Sequence, residues 1–121
     1  MIIYFFDTYA LLEIINGNEA YANFNYVTLR TTIFNLYEMY FNVLKNSNEE
    51  NALKSFNKFV PFLVDIRKEH IFLASKFRLK NIRNKFSYID SLGYAISRAE
   101  GYKFLTGDRA FEFFDNVEFV R

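Results

Sequence analysis

Five consecutive apolar residues, Ile2 to Phe6, are the feature that most restricts how this chain can fold. The run contains no polar alternation, which predicts a strand covered on both faces, as in a parallel sheet. It stops at Asp7, and apolar residues from Thr8 to Ile15 then recur at helical spacing until Gly17, where glycine can end a helix. The chain therefore begins with a strand, an acidic corner and a helix.

The same alternation of strand and helix continues to the C-terminus. Parallel strands joined by helices carry helices on both faces, so the pattern predicts an α/β fold, a three-layer α/β/α sandwich with a central, mostly parallel sheet. We expect one domain over residues 1–121. Further strands are expected at 26–29, 62–64, 103–105 and 117–120, and further helices at about 33–45, 49–59, 65–80 and 88–100 and from residue 109.

The composition excludes several kinds of protein. No run approaches the roughly 18 apolar residues of a membrane span, and no secretory leader is visible, so we expect a cytoplasmic protein with no membrane contact. The absence of cysteine excludes disulfides and thiolate metal sites, so a metal would need oxygen ligands, with His70 as the only histidine. The net charge of +1 does not predict general coating of nucleic acid.

Four carboxylates are candidates for a metal site. Asp7 and Asp108 stand at the ends of two expected strands, and α/β sheets bind ligands beyond those ends. Glu38 and Asp90 lie on expected helices among apolar neighbours, where an ionised carboxylate is costly unless it is compensated. If they converge, the four acids form an oxygen-lined site suited to Mg²⁺ or Mn²⁺, and such a metal can activate water for phosphodiester hydrolysis. A strand-end aspartate is also explained as a simple helix cap.

Two threonines lie beside these acids. Thr8 follows Asp7 directly, and Thr106 precedes Asp108 by two residues. Each hydroxyl is a candidate accessory group that holds a carboxylate or contacts a metal-bound water. Each is equally a routine helix cap.

The chain resembles the PIN-domain family, and most of all the compact VapC toxins of toxin–antitoxin pairs. The resemblance covers essentially the whole chain, in matching order and spacing. It rests on Ile2 to Thr8 with Leu11, on Asn35 to Met39 around Glu38, on Tyr88 to Leu92 around Asp90 with Ala95, and on Leu105 to Asp108 with Phe111.

The resemblance implies an endoribonuclease that uses Mg²⁺ or Mn²⁺, with Asp7, Glu38, Asp90 and Asp108 as metal ligands and catalytic residues. It also implies an RNA substrate, a homodimer and a small antitoxin protein as partner. One departure matters, because many relatives carry a further aspartate where this chain has Ala110. Any contribution of that position to metal binding is lost.

Two other functions stay open. A catalytically silent module that keeps the PIN fold and binds RNA or protein is favoured by Ala110 and by the 16 Phe and 9 Tyr, which exceed what a small core can hide. A phosphoacceptor receiver domain also carries acids at the ends of parallel strands. That class expects an adjacent acidic pair after the first strand, whereas Thr8 follows Asp7.

Cationic side chains are concentrated within residues 76–85, with no acid among them. This run predicts contact with an RNA backbone, although the solvated C-terminal end of a helix explains it as well. Arg109 has two similar interpretations, a phosphate contact or a pair with a neighbouring acid. The five cations of the run are Lys76, Arg78, Lys80, Arg83 and Lys85.

The helix expected from Ile33 to Leu44 is apolar almost all round, which predicts a protein interface there or on the neighbouring Glu49 to Phe59 helix. A second copy of the chain and an antitoxin are the partners that the resemblance suggests. His70 shows no partner pattern typical of catalysis, and we expect no chemical role for it.

Overall fold

A sheet of four parallel strands forms the centre of the molecule. The computed structural model describes residues 1–121, and every strand pairing in it is parallel. The predicted α/β/α architecture is confirmed. The strands are β1 (Ile3–Phe6), β2 (Thr28–Arg30), β3 (Lys103–Thr106) and β4 (Val117–Phe119), in the order β2-β1-β3-β4.

Five α-helices cover the sheet. Those expected at 49–59 and 88–100 have the bounds that the sequence predicts. None of the helices is both long enough and apolar enough to cross a membrane. The helices are α1 (Thr8–Ile15), α2 (Ile33–Asn46), α3 (Glu49–Phe59), α4 (Lys68–Lys80) and α5 (Tyr88–Glu100), and 3-10 segments lie at Glu19–Tyr26, Val60–Phe62, Ile82–Asn84 and Arg109–Phe111.

Neighbouring residues of the central strands point to opposite faces of the sheet. Phe6 and Leu105 belong to the core under α1, α2 and α3, whereas Phe5 and Phe104 belong to the core under α4 and α5. All four side chains are fully buried. This explains why the first strand is apolar without alternation, since both of its faces are covered by helices.

The strand expected at 62–64 is absent, and only an isolated bridge joins Leu63 to Thr31. The backbone of Thr31 donates to the carbonyl of Phe62 and accepts from the N–H of Val64. The preceding Val60–Phe62 segment is a 3-10 turn, so the chain reaches the sheet edge for a single residue. Residues 62–64 therefore extend the sheet by a single bridged residue, Leu63, and do not form a strand.

The helix expected to follow Asp65 begins three residues later, at Lys68. Arg67 is extended, and its backbone N–H donates to Nδ1 of His70 at 3.0 Å. This side-chain cap sets the first turn of α4, and a helix cap at Asp65 is not formed.

Helix α5 packs unusually close to β1. A Cβ built on Gly93 would lie 2.8 Å from the ring of Phe5, closer than real Cβ contacts. The missing side chain lets the helix approach the sheet, which brings Asp90, one turn earlier, towards the end of β1.

Candidate active site

Asp7 lies at the C-terminal end of the central strand β1 and is 4% exposed. Its Oδ1 accepts the backbone N–H of Ala10 at 2.9 Å and so caps α1, while its Oδ2 accepts the hydroxyl of Thr106 at 2.5 Å. The pKa of Asp7 is raised to about 7, chiefly by burial and to a smaller extent by the charges of Asp90 and Asp108, against the lowering effect of these hydrogen bonds. Asp7 therefore caps α1, as a strand-end aspartate is expected to do, and burial strongly destabilises its ionised form.

The corner after β3 brings Asp108 next to Asp7. Thr106 Oγ1 accepts the backbone N–H of Asp108 at 3.0 Å while donating to Asp7, so one hydroxyl links the two acidic corners. Asp108 Oδ1 in turn accepts the N–H of Ala110 and caps the short 3-10 turn. A Cβ on Gly107 would lie 2.6 Å from the carbonyl oxygen of Val120, so this corner requires glycine.

Asp90 occupies the third position of α5. Its backbone N–H donates to Ser87 Oγ, and its Oδ2 accepts the backbone N–H of Ser87, which together form a capping box. Burial raises the pKa of Asp90, although the Ser87 bonds lower it, and the charge of Asp108 adds to the increase. The sequence did not predict this capping role for Asp90, and the cap leaves Oδ1 without a protein donor.

Glu38 lies on α2 and faces the same end of the sheet. Its Oε1 accepts the hydroxyl of Thr8 at 2.5 Å. Burial raises the pKa of Glu38, the Thr8 bond lowers it, and the charge of Asp90 raises it again. Thr8 thus contacts a predicted metal ligand that lies 30 residues away in sequence.

The four acids are electrostatically coupled and have no cationic partner. No ion pair in the structure involves Asp7, Glu38, Asp90 or Asp108. One oxygen each of Glu38, Asp90 and Asp108 accepts no protein hydrogen bond. Uncompensated, desolvated carboxylates with free oxygens fit a hard divalent cation in donor type and charge.

The acids are nevertheless not gathered around one point. No three acidic side chains lie close enough together to enclose a metal ion. Asp7 and Asp90 are instead bonded to backbone N–H groups at the starts of α1 and α5. Thr106 and Thr8 hold Asp7 and Glu38 through their hydroxyls. A shared ion would therefore require some of the carboxylates to move towards one another.

Sequence analysis missed two polar residues that support the site. Asn35 is 2% exposed and donates from Nδ2 to Thr8 Oγ1 at 3.1 Å, and Thr32 pairs with Asn35 to cap α2. The second missed residue is Ser87, which caps α5 together with Asp90. In both places a hydroxyl precedes an Asn or Asp by three residues, a spacing typical of helix starts that could have identified them.

Four of the six candidate RNA-binding cations make no ion pair, side-chain hydrogen bond or cation–π contact. They are exposed and lie at the end of α4 or in the loop that leads to Asp90. Arg78 instead donates to the carbonyl of Phe86 and stacks 4.2 Å over the ring of Tyr88. Arg109 lies 3.7 Å from Glu112. The four free cations are Lys76, Lys80, Arg83 and Lys85.

His70 lies away from the acids, at the opposite end of α5. It is 1% exposed, and its ring is fully used, because Nδ1 accepts from Arg67 and Nε2 lies 2.9 Å from Glu100 Oε1. The accepting Nδ1 places the proton on Nε2, which donates to Glu100. His70 therefore has a structural role, since it caps α4 and contacts Glu100 on α5.

Two apolar surfaces remain exposed. The α2–α3 surface contains a groove of about 350 Å³ lined by Ile33, Tyr37, Tyr40, Leu53 and Phe56. The α4–α5 surface contains a groove of about 280 Å³ lined largely by Ile71, Leu79, Ile82, Tyr88 and Leu92. The first coincides with the region where the sequence predicts an interface, and the second was not expected.

No protein-family model and no curated protein matches the chain. Solved structures do match. A chain of the VapBC2 complex of Rickettsia felis bound to promoter DNA is 20% identical, with a TM-score of 0.76, and the match covers 99% of this chain and 100% of the other. A DNA-bound VapBC chain of Salmonella typhimurium is 18% identical, with a TM-score of 0.76, and the match covers 98% of this chain and 97% of the other.

VapC20 of Mycobacterium tuberculosis, described as a Sarcin-Ricin loop cleaving toxin, is 15% identical with a TM-score of 0.73, and the match covers 95% of this chain and 98% of VapC20. At such low identities the likeness concerns the fold. The chain has the PIN-like α/β/α fold of these VapC structures over essentially its full length, which confirms the fold that the sequence resemblance implied.

Proposed function

We propose that residues 1–121 form a single PIN-like nuclease domain, a divalent-metal-dependent endoribonuclease that acts as the toxin of a toxin–antitoxin pair. The observation that carries the proposal is the coupling of four unpaired acids at the C-terminal edge of the sheet. Asp7 is the clearest case, since its pKa is raised to about 7 by burial and by two further acids. Groups that are perturbed in this way are concentrated at functional sites.

Mg²⁺ or Mn²⁺ is the cofactor that this donor set favours, with Asp7, Glu38, Asp90 and Asp108 as its ligands. A bound cation would supply the activated water and the charge neutralisation that phosphodiester hydrolysis needs. Titration with Mn²⁺ should show binding to the wild-type chain and little or none to Asp7→Asn.

The protein's own residues orient the acids. The Thr106 hydroxyl donates a hydrogen bond to Asp7 and accepts one from the backbone N–H of Asp108, so it connects the two acidic corners. The Thr8 hydroxyl donates a hydrogen bond to Glu38. Asp90 lies in the first turn of α5, where the helix dipole favours a negative charge. These contacts keep three desolvated acids ionisable at one edge of the sheet without a lysine or arginine that would compete for them.

The four exposed cations near the start of α5 are suited to bind the RNA backbone beside the acids. They carry no intramolecular ion pair, so each can meet a phosphate without breaking an existing contact. Arg78 and Arg109 are already engaged and are less available for RNA. The loop that carries Arg83 and Lys85 leads directly into the helix of Asp90.

The partners proposed for this chain are a small antitoxin and a second copy of itself. The VapBC complexes of Rickettsia felis and Salmonella typhimurium, which have the same fold, support the first. The α2–α3 and α4–α5 surfaces supply apolar grooves of a kind that protein partners cover. Light scattering of the purified chain tests self-association, and the same measurement with the product of any small reading frame found beside its gene tests the antitoxin.

The central experiment is cleavage of structured RNA by purified protein in Mn²⁺, in Mg²⁺ and in chelator. We expect cleavage only with metal, and a loss of at least about 100-fold for Asp7→Asn or Asp90→Asn without unfolding. Asp115→Asn is the matched control, because this side chain is 85% exposed and pairs with Arg98 away from the site. Equal cleavage in chelator would contradict the proposed mechanism.

A catalytically silent module that binds RNA or protein is the second candidate. Ala110, the two apolar surfaces and the absence of a gathered carboxylate cluster favour it. It predicts RNA or protein binding that is insensitive to metal and to Asp7→Asn. Failure of the wild-type chain to cut any RNA in Mn²⁺, together with retained RNA binding, would select this alternative.

A further inference from the structure

A buried chain of hydrogen bonds connects the start of α2 to Glu38. Thr32 Oγ1 accepts the backbone N–H of Asn35 at 3.1 Å and donates to Asn35 Oδ1 at 2.6 Å. Asn35 Nδ2 donates to Thr8 Oγ1 at 3.1 Å, and Thr8 donates to Glu38 Oε1 at 2.5 Å. Thr32 is fully buried and Asn35 is 2% exposed.

The direction of these bonds is fixed by the carboxylate at the end of the chain. An ionised Glu38 only accepts, so the Thr8 hydroxyl must donate to it. Thr8 can then receive a bond from Asn35 only if the amide NH₂ faces it, which turns Asn35 Oδ1 towards Thr32. The reversed amide would face the Thr8 oxygen with a second acceptor and leave no donor for that bond.

The Asn35 amide is not needed to cap the helix. Thr32 already satisfies the first turn of α2 through the Asn35 backbone N–H, so the side-chain NH₂ is free for another partner. At the start of α3, Asn48 caps through Asn51 in the same way, but there Asn51 is exposed and its amide contacts only Ser47. Burial and a contact across 27 residues distinguish Asn35 from an ordinary cap.

We propose that Asn35 is a positioning residue for the metal site, acting through Thr8 to hold Glu38 with Oε1 occupied and Oε2 free to bind a cation. The proposal rests on the proposed function. A buried donor that faces the unshared electrons of Thr8 keeps the hydroxyl proton on the Glu38 side. Loss of Asn35 Nδ2 frees Thr8 to rotate, and Glu38 then loses its fixed orientation.

Calorimetric titration with Mn²⁺ of the wild-type chain, Asn35→Ser, Thr8→Val and the double variant tests this. Serine keeps a small polar group beside Thr32 but is too short to reach Thr8. We expect Asn35→Ser to weaken Mn²⁺ binding about 10-fold or more, as is typical of residues that orient a metal ligand. Because Asn35 acts through Thr8, the double variant should bind within about twofold of Thr8→Val.

Asn48→Ser is the control, since Asn48 caps α3 and contacts none of the acids. Serine caps a helix about as well as asparagine, so this variant should leave both the melting temperature and the Mn²⁺ affinity close to the wild-type values. If Asn35→Ser does not fold, Asn35→Ala takes its place in the same cycle. Wild-type affinity in the Asn35 variant, or losses that add fully in the double variant, would overturn the positioning role while leaving the proposed function intact. A wild-type chain that binds no Mn²⁺ would overturn both.

Discussion

Replacing Asp7 by asparagine should make the metal-free protein more stable at neutral and alkaline pH. The Asp7 carboxylate is 4% exposed, lacks a cationic partner and lies near the charges of Asp90 and Asp108. Ionising it in the folded chain therefore opposes folding. Asparagine keeps the size of the side chain and the acceptor for the N–H of Ala10, and it removes the charge.

The magnitude follows from the pKa of Asp7. A rise from 3.8 to about 7 corresponds to about 4 kcal/mol of folding free energy above pH 7. Part of this gain is lost in the variant, because the asparagine NH₂ cannot accept the Thr106 hydroxyl, and a neutral hydrogen bond contributes about 0.5–1.5 kcal/mol. We expect a net stabilisation of roughly 2–4 kcal/mol, which raises the melting temperature by about 6–15 °C for a chain of this size.

The sign can be checked by varying pH. Between about pH 4 and pH 7 the folded chain holds a proton on Asp7 that the unfolded chain has lost, so the stability contributed by this group falls as pH rises through that window. Below pH 4 the ionisation penalty disappears in the wild type. The advantage of Asp7→Asn should therefore appear above pH 4 and become constant above pH 7.

Urea unfolding in chelator at several pH values measures the difference, with Asp115→Asn as the control for an exposed aspartate. Added Mn²⁺ should reverse the ranking, since it stabilises the wild type by mass action and does not stabilise the variant. Asp7→Asn less stable than the wild type at pH 8 in chelator would refute the reasoning. So would a wild-type stability that does not fall between pH 4 and pH 7 relative to the variant.

Three further predictions test the corner after β3, the interface and the cationic loop. Gly107→Ala should cost roughly 2–3 kcal/mol in urea unfolding, because the new Cβ would lie 2.6 Å from the carbonyl oxygen of Val120. Tyr37→Glu, at a side chain that is 68% exposed, should weaken self-association or antitoxin binding in light scattering without lowering the melting temperature. Arg83→Ala should weaken RNA binding at low salt and reduce the slope of affinity against salt by about 1, with no change in Mn²⁺ affinity.

The sequence was most informative where one local pattern decides the structure. The apolar run before Asp7 is covered on both faces because Phe5 and Phe6 point to different helical layers. Helix bounds with a strong cap or glycine stop were predicted closely, as at the end of α5, where Gly101 has a φ of +74°. The expected strand at 62–64 was wrong, because only Leu63 pairs with the edge of the sheet, at Thr31. The length of that pairing depends on the edge of the sheet and cannot be read from three apolar residues.

The site was predictable where a carboxylate interrupts an apolar stretch, since its cost there is visible in the sequence. Asp7 and Glu38 are such positions. Asn35 was not predictable in the same way, because a neutral amide in the first turn of a helix carries no comparable penalty. Its importance depends on Thr8, which lies 27 residues earlier and meets it only when β1 and α2 pack together.

The uncharged donors around the acids stabilise each carboxylate without cancelling the negative charge that would attract a cation. A lysine or arginine beside Asp7 would remove much of the ionisation penalty, yet its charge would occupy the place of a cation. Thr106 stabilises the Asp7 carboxylate by one short hydrogen bond and brings no charge. The Thr8 hydroxyl donates to Glu38 in the same way, and the backbone N–H of Ser87 donates to Asp90. Neutral donors therefore orient the acids and leave their negative charge uncompensated, and a divalent ion bound there would offset the cost of burying those charges.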